Sequence, residues 1–123
     1  MPTGFLEHAN LTVSDPERSS ALMQKLCCWH ERWRGPARDN GWTIHVGSER
    51  DYLAFYSNGS AERSYDKGAP LNHVALVVDD LVEAERLVVE AGLVPFNHAD
   101  YAPGRRFYFF DWDGIEFELV NYD

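Results

Sequence analysis

Apolar and polar positions alternate from Phe5 to Val13. Leu6, His8, Asn10 and Thr12 point one way and Glu7, Ala9, Leu11 and Val13 the other, which predicts a half-buried strand. Asp15-Pro16-Glu17 then predicts a helix start, with proline at an early position and acids near the positive end of the dipole. Leu22, Met23 and Leu26 supply the apolar stripe of a helix ending near Cys28. Trp29–Arg34 reads as a second strand, and Gly35-Pro36-Ala37-Arg38-Asp39-Asn40-Gly41 as a loop. Trp42–Gly47 and Tyr52–Ser57 read as two more strands, joined by the polar turn Ser48-Glu49-Arg50-Asp51.

Residues 58–69 are polar, with Gly and Ser, and form the natural linker to a second half of the same order. Leu71–Val78 is a predicted strand, Asp79 or Asp80 caps a helix running through Ala91, and Gly92 ends it. Leu93–Ala99, Arg106–Asp111 and Ile115–Asn121 are predicted strands. The first pair is separated by a loop containing Pro103-Gly104, the second by the tight turn Trp112-Asp113-Gly114. The pattern is βαβββ twice, residues 1–57 and 70–123, within one domain of 123 residues. Neither half has enough strands to close a core alone. The expected fold is therefore α+β: paired βαβββ modules forming a curved, eight-stranded mixed sheet with both helices on the convex face.

The repeat aligns chemistry as well as pattern. FLEHANLTVSDPE from Phe5 and PLNHVALVVDDLV from Pro70 superpose with an offset of 73 − 8 = 65. His8 falls on His73, Leu11 on Leu76, Val13 on Val78 and Asp15 on Asp80. On the last strand Glu116, Glu118 and Val120 share one face, and Ile115, Phe117 and Leu119 the other. If His8, His73 and Glu118 line one cup, two imidazoles and a carboxylate surround a point, a donor set suited to a divalent metal with open positions for water or substrate.

Composition narrows the partners. The 20 acidic and 11 basic residues leave a net charge of −9, which repels a phosphate backbone and argues against nucleic acid. No apolar stretch has membrane-spanning length and no secretory signal is visible, so a cytoplasmic protein is expected. The only cysteines, Cys27 and Cys28, are adjacent and read as reduced residues near a helix end. Arg105 and Arg106 read as surface salt-bridge residues, with binding of an anionic group as the alternative.

The doubled βαβββ pattern, the His-bearing strands of both halves and the closing FYFFDWDGIEFELV resemble the vicinal oxygen chelate superfamily, over nearly the whole chain. That group includes glyoxalase I, extradiol dioxygenases, fosfomycin-resistance transferases and bleomycin-resistance proteins. The resemblance implies metal ligands at His8, His73 and Glu118, with Fe2+, Mn2+, Zn2+ or Ni2+ as the ion. It implies a small-molecule substrate with vicinal oxygens and a homodimer. The fourth ligand of glyoxalase I falls near Ala54 or Phe55, which cannot bind a metal, with His45 on the preceding strand as the substitute. The extradiol signature is matched by His98, Phe107-Tyr108, Asp111, Gly114 and Glu118. Trp112 replaces its usual proline, and His98 stands about one residue too far from Tyr108. On that resemblance His98 or His45 is the acid–base group and Tyr108 a hydrogen-bond partner of the substrate. Two functions are expected from these features: a metal-dependent dioxygenase or lyase/isomerase, or a metal-free sequestering protein of the bleomycin-resistance kind. The acidic charge and the tryptophans suit the second.

Overall fold

A computed structural model describes residues 1–59, 68, 70–101 and 104–122. Among them, β1 (His8–Thr12), α1 (Pro16–Cys27), β2 (His30–Ala37), β3 (Gly41–Gly47) and β4 (Tyr52–Ser57) make the first βαβββ module. β5 (Val74–Val77), α2 (Leu81–Glu90), β6 (Phe96–Tyr101), β7 (Gly104–Phe110) and β8 (Glu116–Asn121) make the second. The chain divides into two compact units, Met1–Glu62 and Arg63–Asp123, each holding one module. Most of the expected linker 58–69, and residues 102 and 103 of the expected Pro-Gly loop, lie outside the described residues.

Both sheets have four strands and the same topology, β1-β4-β3-β2 and β5-β8-β7-β6. In each, the first strand runs parallel to the last and the remaining neighbours are antiparallel, so both sheets are mixed and open-edged. The helix of each unit covers one face: α1 packs on β3 and β4, α2 on β8 and β7. Leu22, Met23 and Leu26 meet Leu11, Val13, Ile44, Val46, Leu53 and Phe55 in the first core. Leu81, Ala84 and Val88 meet Phe107, Phe109, Phe117 and Leu119 in the second, where the Phe109 and Phe117 rings stack with centroids 5.5 Å apart. Each such fully buried side chain contributes roughly 1.5–3 kcal/mol, so the two cores, not local propensity, hold the short strands.

The helices begin where the sequence places them. The Asp15 carboxylate accepts from the Arg18 N–H at 3.2 Å with Pro16 in the first turn, and Asp80 accepts from the Glu83 N–H at 3.0 Å. Gly92 follows α2 at φ +87°. The strands differ more. β2 continues through Gly35-Pro36 to Ala37, leaving only Arg38-Asp39-Asn40 as the turn. Proline is tolerated because β2 is a sheet edge, and Asp39 and Asn40 take the left-handed φ (57° and 59°) of a tight hairpin. β6 starts at Phe96 rather than Leu93, just past Pro95. Among the described residues no helix is long and apolar enough to cross a membrane.

Candidate functional site

The face of each sheet turned away from its helix carries the polar side chains, and strand register places them in rows. In the first unit one row across four strands is Asn10, Ala54, His45, Trp33. The matching row of the second unit is Ala75, Glu118, Tyr108, Phe96. Glu118 therefore has Ala54 as its counterpart, and Tyr108 has His45. The place expected near Ala54 or Phe55 is Ala54.

In the first unit the Tyr52 ring stacks on His8 and on His45, both with centroids 4.7 Å apart. Arg32 lies over the same ring at 4.4 Å, and Trp33 flanks His45 at 5.3 Å. Burial, then the neighbouring His8 and Arg32, lower the proton affinity of His45 below the ordinary imidazole value, with Glu7 opposing. His8 Nδ1 lies 2.9 Å from Glu7 Oε1, which leaves Nε2 as the free ring nitrogen.

The second unit holds a tighter cluster. His73 Nε2 lies 3.1 Å from Glu118 Oε1, and the Arg106 guanidinium donates to Glu118 Oε2 at 2.9 Å. The Glu118 side chain is only 8% exposed and that of Arg106 14%, so this is a buried ion pair and not the surface salt bridge expected for Arg106. His73 Nδ1 lies 2.7 Å from Asn72 Oδ1, so the residue before the histidine engages Nδ1 just as in the first unit. That contact turns Nε2 toward the carboxylate. Tyr108 meets His73 edge-on with centroids 5.9 Å apart, and Phe96 backs Tyr108 at 6.0 Å.

His98 is not brought to this cluster. Its Nε2 pairs with Glu85 of α2 at 2.9 Å and its ring stacks on the core residue Phe107 at 5.8 Å. It borders a cavity of ≈ 320 Å³ lined also by Leu81 and Val82 of α2. The cause is a register shift between Phe96 and Ala99, where Asn97 takes φ +54°. One extra residue in a strand turns the next side chains to the opposite face. Asp111, read as part of a signature, serves the turn: its Oδ1 accepts from the N–H groups of Asp113 and Ile115, both at 2.9 Å.

Sequence reasoning thus named His8 and His45, His73, Tyr108 and Glu118, and the structure groups the first two in one unit and the last three in the other. It missed Glu7, Asn72, Tyr52 and the inward role of Arg106. A side-chain acceptor immediately before both repeated histidines was the available signal for the first two. Among the described residues no group of three or more His, Cys, Asp or Glu side chains is gathered for a metal ion.

The paired donors nonetheless fit a divalent ion chemically. Metal–nitrogen and metal–oxygen bonds of about 2.1 Å at 90–109° set two donor atoms roughly 3.0–3.4 Å apart, and the His73–Glu118 separation lies in that span.

No curated protein sequence matches the chain. Solved structures do. A glyoxylase/bleomycin resistance protein/dioxygenase domain from Frankia sp. EAN1pec superposes with a TM-score of 0.82 at 21% identity, over 99% of this chain and 100% of that one. Fosfomycin resistance protein FosX from Mesorhizobium loti gives 0.74 at 23% identity, over 98% and 92%. FosX from Listeria monocytogenes, solved with Mn(II) and sulfate, gives 0.74 at 18% identity, over 98% and 93%. At these identities the likeness speaks for the fold. A family model matches residues 5–119, nearly the whole length, and by that match the chain belongs to the Glyoxalase/Bleomycin resistance protein/Dioxygenase superfamily.

Proposed function

We propose that this protein is a divalent-metal-dependent enzyme acting on a small molecule with vicinal oxygens, of dioxygenase or lyase/isomerase type, with His8, His73 and Glu118 as the metal ligands. The observation that carries the reading is the His73–Glu118 pair, with Nε2 aimed at a nearly buried carboxylate at 3.1 Å and Nδ1 engaged by Asn72. A likeness to a FosX solved with Mn(II) supports it. His8 joins as third donor because its ring is held by the same preceding-residue device at the matching repeat position. A divalent ion at these ligands would polarise the substrate's oxygens and stabilise negative charge developing on them.

The chain's own groups do the rest. Tyr108 donates a hydrogen bond to a substrate oxygen beside His73. His45, kept weakly basic by burial, takes a proton from a substrate hydroxyl. Arg106 fixes one carboxylate oxygen of Glu118, and the other would be the one able to hold a metal. His98, engaged by Glu85, has no part in the step. A homodimer and a cytoplasmic location complete the reading. Sedimentation at twice the 14.1 kDa chain mass would support the dimer, and a monomer at micromolar concentration would refute it.

The neutralisation of Glu118 by Arg106 without any metal favours a second reading, a metal-free ligand-binding protein. Elemental analysis after reconstitution with Mn2+, Fe2+, Zn2+ or Ni2+ decides. Stoichiometric metal in the wild type, lost in His8→Ala, His73→Ala and Glu118→Gln, is the expected result. No bound metal, or equal metal in the three variants, would leave the binder as the better account.

A further inference from the structure

A cavity of ≈ 320 Å³ lies in the second unit between α2 and strands β6 and β7. It is near the lower end of the ~300–1,000 Å³ typical of small-molecule pockets, so its ligand is small. It stands on the helix-covered face of the sheet. Arg105 and Phe107 of β7 point to that face, and Arg106 and Tyr108 to the face of Glu118 and His73. The cavity is therefore separate from the ligands proposed for the metal. The first unit has no such pair of charges. With His45 and Tyr108 as counterparts, Trp42 is the counterpart of Arg105 and Pro36 that of Asp100, so an apolar cross-strand pair stands where the second unit has two opposite charges.

The lining defines what fits. Leu81 and Phe107 are buried and make an apolar floor, and Val82, 73% exposed, is an apolar rim. A hydrocarbon group laid there takes that valine out of water. Glu85 and His98 engage each other at 2.9 Å, and the Arg106 guanidinium is committed to Glu118. Asp100 and Arg105 remain. They are directly opposite in the β6–β7 ladder, which sets their Cβ atoms ~4.5–5.5 Å apart. Among the described residues neither side chain makes a hydrogen bond or an ion pair, with the other included. The short Asp100 side chain holds its carboxylate close to the strand, and the long Arg105 stem carries its guanidinium further out. A ligand with an ammonium and a carboxylate on one carbon answers both. A simple anion meets repulsion at Asp100, and a simple cation meets it at Arg105.

We infer that this cavity binds a free α-amino acid with an apolar side chain, its ammonium at Asp100, its carboxylate at Arg105 and its hydrocarbon on Leu81, Val82 and Phe107. The bulge at Asn97 makes the place, because it turns His98 and Asp100 to the helix-covered face. None of these groups is a proposed metal ligand, so the site holds or fails without the function proposed above.

The full chain, without added metal, is titrated with L-leucine while backbone amide shifts are followed. Saturable shifts at Leu81, Val82, Asp100 and Arg105 are expected. Three relatives of leucine each lack one element: 4-methylpentanoate the ammonium, 3-methylbutylamine the carboxylate and glycine the hydrocarbon. The first two should bind about fivefold more weakly, the upper end for one exposed ion pair, and glycine about tenfold. Arg105→Gln and Asp100→Asn should each weaken leucine about fivefold. In Asp100→Asn, leucine and 4-methylpentanoate should bind equally, because the ammonium has lost its partner. Both side chains are exposed, and unchanged shifts elsewhere in the spectrum show that each variant is folded. The inference is overturned if leucine shifts none of these amides saturably, if 4-methylpentanoate or 3-methylbutylamine binds wild type as tightly as leucine, or if either variant binds leucine like wild type. Failure of metal loading in the elemental analysis leaves this outcome unaffected, so the two readings fail separately.

Discussion

Replacing Glu118 by Gln separates the structural from the metal-binding part of the argument. The carboxylate is almost wholly buried and ties together Arg106 at 2.9 Å and His73 at 3.1 Å. Gln keeps one oxygen to accept from Arg106 but removes the charge. A hydrogen bond between charged groups is worth ~1.5–3 kcal/mol and a neutral one ~0.5–1.5, so metal-free Glu118→Gln should lose about 1–2 kcal/mol. For a chain of this length that lowers Tm by roughly 3–10 °C. Glu118→Ala would strand the guanidinium in a buried position and cost about 3–5 kcal/mol. Metal binding at the proposed site would act on top of this. An ion at a hundred times its Kd adds ~2.7 kcal/mol to the wild type, a rise on the order of 10 °C, and should add almost nothing to Glu118→Gln. His73→Ala is the control, because its side chain is 33% exposed: metal-free Tm should move by less than ~1 kcal/mol equivalent, while the metal-induced rise disappears. Calorimetric melts of the three proteins with and without Mn2+ supply the comparison. An equal Mn2+ shift in all three would place the metal elsewhere, and a metal-free Glu118→Gln as stable as wild type would show that the buried pair contributes nothing.

Three further outcomes follow from the same geometry. Asp111→Ala deletes two charge-assisted hydrogen bonds that close the β7–β8 turn, and should cost about 2–4 kcal/mol in urea unfolding; a loss below 1 kcal/mol would contradict that role. Burial, then the neighbouring Cys28 and Asp51, push the Cys27 thiol up to about 12, whereas Cys28 is exposed. A disulfide reagent at about pH 8 should therefore label one thiol quickly and the second only on unfolding; two equal fast phases would refute this. His45 holds its proton less tightly folded than unfolded. Above the ordinary value near 6.5 both states are neutral; as pH falls through it the unfolded chain gains a proton the folded one refuses, so stability drops. His45→Gln should lose less stability than wild type between about pH 7.5 and 5.5, and an equal loss would deny the depressed affinity.

What was legible in the sequence was what repetition and alternation encode. The offset that superposes His8 on His73 also superposes the strands: Asn10 and Ala75 pair with Ala54 and Glu118 at the same place in each sheet. The capping aspartates were equally plain, because capping is local chemistry. The failures are non-local. Gly35-Pro36 has the composition of a loop, and only the β2 edge position makes it strand. His98 matched a signature by residue type, but Asn97 in the left-handed region inserts one residue into the β6–β7 ladder, and no periodicity records a positive φ. Arg106 read as a surface cation because its partner lies twelve residues away on β8, and its burial depends on that pairing.

The two rows share one scaffold and differ in charge. In the second unit the central position is Glu118, already countered by Arg106 and faced by His73, with Tyr108 beside it. In the first, Ala54 takes the central position, His45 replaces Tyr108, and a stacked His8–Tyr52–His45 column replaces the ion pair. A carboxylate at position 54 would add negative charge next to His45 and raise its proton affinity; the methyl group leaves the imidazole weakly basic instead. Burial, then the neighbouring His8 and Arg32, hold the first unit's histidine weakly basic. Duplication supplied two equal faces. The two faces differ at that one row, a carboxylate countered by Arg106 in the second unit and a methyl group in the first.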